Sequence, residues 1–271
     1  MDLSTELSLK LDPSLIMDFQ PDPWQRDLLR SQATRLLLLC SRQLGKSTAV
    51  ACVALNEAYL NDDATVLLVS RSERQAELLF RKVSRFHKAV NLVQATKELA
   101  LSLELTNGSE VVALPGDADT IRGFSAPRLI IIDEASRVRD DVLAAVLPML
   151  IANKGRLLAL STPCGMLGWF YEKWSSADPA WQRINAKASE SPRISAEALA
   201  EQLASLGSRL YAQEFDNQFL ESTGQCFATD VILAAFDCDD EPLFGGSVVR
   251  EFPGGVLDPE VQPLFEGVQV K

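Results

Sequence analysis

The sequence of 271 residues has one histidine, five cysteines and no long hydrophobic run. A single histidine, His87, cannot anchor a multi-histidine metal site, and it reads as a surface residue of a helix. The cysteines (Cys40, Cys52, Cys164, Cys226 and Cys238) are odd in number and scattered, with no C-x-x-C pair. That argues against a disulfide framework and against a zinc site. The longest apolar stretch, Val142 to Ala152, is broken by Pro148 and is well short of the roughly 18 residues that cross a bilayer. The opening Met-Asp-Leu-Ser-Thr-Glu has neither the basic start nor the apolar stretch of a signal peptide. A cytoplasmic location without a membrane partner is therefore expected.

Positive charge is also scarce. Lysine and arginine number 26 against 37 acidic residues, for a net charge of −11 and a pI near 4.7. Taken alone this speaks against a nucleic-acid binder, but the charge is uneven. Between Arg71 and Lys88 stand Arg71, Arg74, Arg81, Lys82, Arg85 and Lys88 against Glu73 and Glu77. From Glu214 to Glu266 Arg250 is the lone base. The basic stretch reads either as a phosphate contact or as a solvated helix face. With 47% hydrophobic and 23% charged residues, the composition is that of an ordinary globular protein. The length suits one large domain, or one domain with an appendage.

What is present is an alternation of short apolar runs with helical stretches, the pattern of an α/β fold with a mainly parallel sheet. Strands are expected at Arg35–Cys40, Ala64–Ser70, Leu129–Ile132, Arg156–Leu160 and Trp181–Ala186. Leu101–Leu105 and Glu110–Leu114 flank Asn107-Gly108, a hairpin signal in which both turn positions are expected at positive φ. Helices are expected from Lys46 to Tyr59, from Ser72 with Ala76, Leu79, Phe80 and Val83 at helical spacing, over Asp141–Leu147 and over Leu167–Trp174. Two shorter helices follow at Ser195–Leu206 and Arg209–Phe215, the first capped by Ser195. Three regions result: a domain over residues 1–190, a helical linker over 191–220, and an acidic tail over 221–271.

The segment Ser41-Arg42-Gln43-Leu44-Gly45-Lys46-Ser47-Thr48 lies between a strand and a helix. A phosphate-binding loop needs backbone N–H groups converging at a helix start, where the dipole also favours anions. Gly45 lets the backbone approach, Lys46 reaches the β- and γ-phosphates, and Ser47 ligates magnesium. Cys40 stands where the usual pattern carries a first glycine, so an incidental Gly-Lys-Ser is the alternative. Leu129-Ile-Ile-Ile-Asp133-Glu134 supplies the complement at the carboxyl end of a buried strand, where ligands of parallel sheets sit. Asp133 would hold the metal through water and Glu134 would polarise the attacking water. Phosphoryl transfer also needs positive charge, for which Arg42 and Arg122 are candidates. Gly123 suggests a sharp exposed turn beside Arg122. Gln25, in Pro23-Trp24-Gln25, is a candidate reader of adenine. Ser161-Thr162-Pro163 ends the next strand, where a hydroxyl can sense the γ-phosphate. For each of these the alternative is a structural turn or salt bridge.

In order, these pieces resemble the ATPase domain of the large terminase subunit, the DNA-packaging motor of tailed phages. The resemblance rests on PWQ at 23–25, SRQLGKST at 41–48, IRGFSAPRLIIIDEAS at 121–136, LLALSTPCG at 157–165 and SRLYAQEF at 208–215. An arginine-containing phosphate loop without its first glycine is usual in that family. The resemblance implies a P-loop NTPase of the RecA-like (ASCE) kind, with a central sheet flanked by helices. It implies ATP and Mg²⁺ as cofactors, with Gln25, Ser41, Arg42, Gln43, Gly45, Lys46, Ser47 and Thr48 at the nucleotide, Ser47 and Asp133 at the metal, and Glu134 as base. Ser161, Thr162 and Pro163 would couple hydrolysis to movement. Implied partners are double-stranded DNA, the portal, the small terminase subunit and further copies in a ring, in the host cytoplasm at the procapsid. Arg122 would act on a neighbour's nucleotide and Arg42 within its own subunit.

The family's second domain, a nuclease of RNase H type, is not expected. Residues 221–271 are too few for it, and Asp230, Asp237, Asp239 and Asp240 fit no metal cluster. Glu266–Lys271 would be the approach to that domain's first strand, and the chain a fragment or truncated product. Two other readings share the motifs: a RecA-like helicase or translocase, and a nucleotide-binding assembly factor without turnover.

Overall fold

The computed structural model describes residues 3–17 and 19–221. Most of the acidic tail, with Asp230, Asp237, Asp239, Asp240, Cys226, Cys238 and the closing Glu266–Lys271, lies outside the described residues.

In chain order the elements are α1 (Leu3–Leu11), α2 (Pro23–Arg30), β1 (Arg35–Cys40), α3 (Lys46–Leu60), β2 (Thr65–Ser70), α4 (Glu73–Val90), β3 (Ala95–Glu98), β4 (Ser102–Leu105) and β5 (Glu110–Pro115). They continue with α5 (Ala118–Arg122), β6 (Leu129–Asp133), α6 (Asp140–Met149), β7 (Arg156–Ser161), α7 (Trp169–Ser175), β8 (Gln182–Ala186) and α8 (Ala196–Glu214). All strands join one sheet in the order β3-β4-β5-β2-β6-β7-β1-β8. The six strands from β5 to β8 in that order run parallel, and β3 and β4 form an antiparallel edge.

Strands β1, β2, β6 and β7 are buried almost end to end. A parallel sheet covered on both faces reads as unbroken apolar sequence, which is why these strands are legible as short hydrophobic runs. Alternate residues serve opposite layers. Leu36, Leu38, Val66, Leu68, Leu129 and Ile131 pack with α3 and α4. Leu37, Leu39, Leu67, Val69, Ile130 and Ile132 pack with Val142, Val146, Trp169 and Phe170 of α6 and α7. Fully burying one such leucine or isoleucine contributes about 2 kcal/mol. Helix α3 is buried on nearly every side, because α1, α2 and α4 cover what the sheet does not. Helix α4 begins where its cap predicts: the Ser72 hydroxyl accepts from the Gln75 amide at 3.4 Å. It ends at Asn91 in the left-handed region, φ 43°, a usual C-terminal device.

Four details depart from or refine the sequence reading. His87 is buried, at 4% exposure, with Nδ1 2.8 Å from the Tyr59 hydroxyl of α3. It falls four residues after Val83, so it continues the apolar stripe that marks α4. In the hairpin only Gly108 takes positive φ (80°) while Asn107 does not. The turn is closed by Gly108 N–H to Leu105 O and Leu105 N–H to Ser109 O, a type I turn with a glycine bulge. Gly123 is helical (φ −65°); the left-handed residue of that loop is Ala126, φ 44°. The two helices expected after Ser195 are both present within α8 and meet at a kink at Gly207 (φ 74°, ψ 162°), the first capped by Ser195.

Candidate nucleotide-binding site

β1 delivers the phosphate-loop segment to the carboxyl edge of the sheet. Cys40 ends the strand with its side chain fully buried in the α3 layer, and burial pushes its thiol up to about 12. Backbone that is still extended needs no glycine, which accounts for cysteine at this position. The chain turns later, at Gln43 (φ 59°) and Gly45 (φ 86°, ψ 24°), and α3 begins at Lys46.

Two residues of the segment face away from the loop's interior. The Ser41 amide donates to Ala186 O at 3.0 Å and its hydroxyl to Phe215 O at 2.7 Å. The Arg42 amide donates to Glu214 O at 3.2 Å, and its guanidinium pairs with the Glu214 carboxylate. Asn217 (φ 59°) strengthens this junction, donating to Asn185 Oδ1 at 2.7 Å and Ala186 O at 2.8 Å. The end of α8 is thus fastened to the root of the loop. Among the described residues the amides from Gln43 to Ser47 make no hydrogen bond, and such a run at a helix N-terminus suits an anion.

Gln25 is fully buried. Its Oε1 accepts from the Asp22 amide at 2.8 Å, capping α2, and its Nε2 lies 3.5 Å from Leu44 O. A Cβ on Gly45 would stand 3.3 Å from that Nε2, so Gly45 serves the close approach as well as the positive φ. Gln25 braces the loop, and contact with a base would require breaking these bonds. Arg193 adds a second brace, 2.8 Å from both Leu44 O and Asp22 Oδ2. No motif in the sequence points to it.

Opposite the loop, β6 ends at Asp133 and Glu134. Asp133 is 8% exposed and its Oδ2 lies 3.3 Å from the Ser47 hydroxyl. Burial raises its carboxyl above the usual range, a shift that Lys46 opposes. Glu134 is held left-handed (φ 54°, ψ 42°), a strained conformation of the kind found at functional sites. Its Oε1 is 3.0 Å from Lys46 Nζ and its Oε2 3.9 Å from Arg137 Nε. Next door, the Ser136 hydroxyl lies 2.6 Å from Ser161 Oγ and 2.9 Å from Thr162 O. The segment after Glu134 is thereby tied to Ser161-Thr162-Pro163. Thr48 accepts from Lys82 Nζ of α4 at 3.4 Å.

Sequence motifs therefore converge for Lys46, Ser47, Thr48, Asp133, Glu134 and Ser161. Arg122 stays apart: its guanidinium pairs with Asp119 at 2.7 Å and its side chain is 55% exposed. Among the described residues no hydrogen bond or ion pair joins it to Lys46, Ser47, Asp133 or Glu134. Arg137, Ser136, Lys82, Arg193 and Asn217 were missed as site residues. Two of them carried a signal: Lys82 lies in the basic stretch from Arg71 to Lys88, and Ser136 ends the segment IRGFSAPRLIIIDEAS. Cavities open on both sides. One of about 790 Å³ lies between Arg42, Gln43 and the Leu199, Leu206 and Leu210 side chains of α8. One of about 330 Å³ is bounded by Ser47, Asp133, Glu134 and α4.

A mostly parallel sheet with a glycine-turned anion loop after β1 and a buried acid at the end of β6 is the arrangement of a P-loop NTPase. The family described as "Terminase large subunit, T4likevirus-type, N-terminal" matches residues 37–233, and the chain belongs to it. The terminase large subunit of Thermus phage G20c is 29% identical over 177 residues, covering 58% of this chain and 36% of that protein. The chain thus spans about a third of the length of the curated relatives it matches. The large terminase ATPase domain of Thermus phage P74-26 superposes with a TM-score of 0.65 at 22% identity, covering 76% of this chain and 97% of that one. The large terminase of bacteriophage D6E in complex with ATP-gamma-S gives a TM-score of 0.61 at 10% identity, covering 74% and 53% respectively. Among the described residues no helix is long and apolar enough to cross a membrane.

Proposed function

We propose that this chain is the ATPase of a DNA-packaging terminase, hydrolysing Mg-ATP to drive double-stranded DNA into a viral procapsid. The observation that carries the reading is the meeting of two motifs from different strands, with Lys46 Nζ 3.0 Å from Glu134 Oε1 and Ser47 Oγ 3.3 Å from Asp133 Oδ2. Likeness to terminase ATPase domains supports the same conclusion.

The amides of Gln43 to Ser47 and the Lys46 ammonium hold the β- and γ-phosphates. Ser47 and buried Asp133 suit a hydrated magnesium ion. Magnesium is usually held by one or two carboxylates together with substrate phosphates, a role that buried Asp133 beside Ser47 suits. When bound, magnesium offsets charge on the phosphate oxygens. Glu134 orients the attacking water and takes its proton, after Lys46 has turned from carboxylate to phosphate. Arg42 supplies charge in its own subunit, its present partner being Glu214 of the linker. Arg122, exposed and outside the site, suits action on a neighbour's nucleotide in a ring. The Ser136–Ser161 link supports Ser161-Thr162-Pro163 as the coupling segment.

Residues 1–190 form the motor domain, 191–220 the linker and 221–271 the acidic tail. Exposed Arg71 and Arg74, beside and on α4, offer phosphate contacts to DNA. The portal and the small subunit complete the assembly, in the host cytoplasm at the procapsid.

The test is ATP hydrolysis and nucleotide binding by the 271-residue chain, with and without linear double-stranded DNA, beside Lys46→Ala. Magnesium-dependent turnover that rises with DNA and is lost with binding in the variant is expected. Binding left intact by Lys46→Ala, or no nucleotide binding by the unaltered chain, would overturn the proposal.

A further inference from the structure

Ser70 ends β2 directly beside Asp133, with which it is in register across the parallel β2–β6 pair. In-register residues of parallel neighbours project from the same face. For Ser70 and Asp133 that is the α3 and α4 face, shared with Val66, Leu68, Leu129 and Ile131. Ser70 is 1% exposed, and its hydroxyl has no hydrogen-bond partner among the described residues. Buried hydroxyls left without a partner are destabilising, so this one calls for an explanation. The residue borders the cavity of about 330 Å³ that Ser47, Gln75, Lys82, Asp133 and Glu134 also line.

Lys82 closes the cavity from α4. Its ammonium reaches Thr48, adjacent to Ser47, at 3.4 Å. Burial lowers its pKa, while the Asp133 charge opposes that shift and Lys46 adds to it. Lys82 and Asp133 line the same cavity, so a protein cation already shares the space beside the carboxylate that would serve the metal.

We propose that Ser70 belongs to the metal site, its hydroxyl hydrogen-bonding to a water of the hydrated divalent cation, while Lys82 competes with that cation for Asp133. The inference rests on the Mg-ATP reading above. Magnesium keeps several of its waters and is bound by few protein groups, so its shell needs acceptors beyond Asp133. A serine hydroxyl can accept and donate, and such outer partners are worth about 10- to 100-fold in metal affinity.

The two residues should act with opposite sign. Mn²⁺ is titrated into the full chain saturated with a non-hydrolysable ATP analogue, and free Mn²⁺ is read by electron paramagnetic resonance. Ser70→Ala should weaken Mn²⁺ binding about tenfold, with an unchanged or higher melting midpoint without metal, since the residue lost made no bond. Lys82→Met should tighten it severalfold. Ser70→Ala binding Mn²⁺ as tightly as the unaltered chain overturns the role of Ser70, and unchanged or weaker binding by Lys82→Met overturns that of Lys82. Failure of the unaltered chain to bind Mn²⁺ with the analogue would remove the Mg-ATP reading itself.

Discussion

Replacing Glu134 by glutamine preserves the size of the side chain and removes its charge, so the strained backbone is left as it is. Glu134 Oε1 sits 3.0 Å from Lys46 Nζ, with the two side chains 23% and 13% exposed respectively. At an effective dielectric near 20, unit charges 3.0 Å apart attract by about 5.5 kcal/mol. Desolvation and partial exposure reduce the net value to about 1 kcal/mol. An incoming phosphate has to win Lys46 from this pair. Glu134→Gln should therefore bind an ATP analogue about fivefold more tightly, since 1.4 kcal/mol corresponds to about tenfold. Loss of a general base lowers turnover by about 10²- to 10⁴-fold. Binding and hydrolysis should thus move in opposite directions, measured by titration of a fluorescent ATP analogue and by steady-state phosphate release. Weaker analogue binding, or turnover within tenfold of the unaltered chain, would refute this account of the pair.

Two further outcomes are expected. Arg122→Ala should suppress turnover in assembled particles far more than nucleotide binding, because its only ion partner among the described residues is Asp119; equal loss of both would refute action in trans. Burial holds the His87 imidazolium below its usual pKa of 6.5, so the unfolded chain binds the extra proton first. Its contribution to stability is complete above about pH 6.5 and is lost as pH falls toward the lower folded value. Melting scans from pH 7.5 to 5 should show a shallower decline for His87→Gln than for the unaltered chain, and parallel curves would refute the assignment.

Local pattern accounts for the central strands and for most helices. Burial on both faces leaves β1, β2, β6 and β7 as plain apolar runs, and α4 shows a 3.6-residue stripe between a serine cap and an asparagine stop. The break at Gly207 was equally visible, since glycine between two periodic stretches disfavours helix. The hairpin was placed correctly, but its turn was not, because Asn107-Gly108 serves more than one loop geometry. His87 was misjudged from its residue type, although its spacing after Val83 put it on the buried face.

The identity of the candidate loop and acid, Gly45-Lys46-Ser47 and Asp133-Glu134, was determined by sequence alone, because each motif is contiguous and its strand or helix setting is local. The tertiary structure decided which groups meet. The Lys46–Glu134 pair, the register that sets Ser70 beside Asp133, the inward turn of Gln25, and the hold of Asn217 on residues 185 and 186 all depend on strand order and loop closure. Ser41 and Asn217 touch across 176 positions of chain, a separation at which no periodicity survives. Only the packing of the sheet brings such residues together, since the contacts that fix strand order are spread over the whole core.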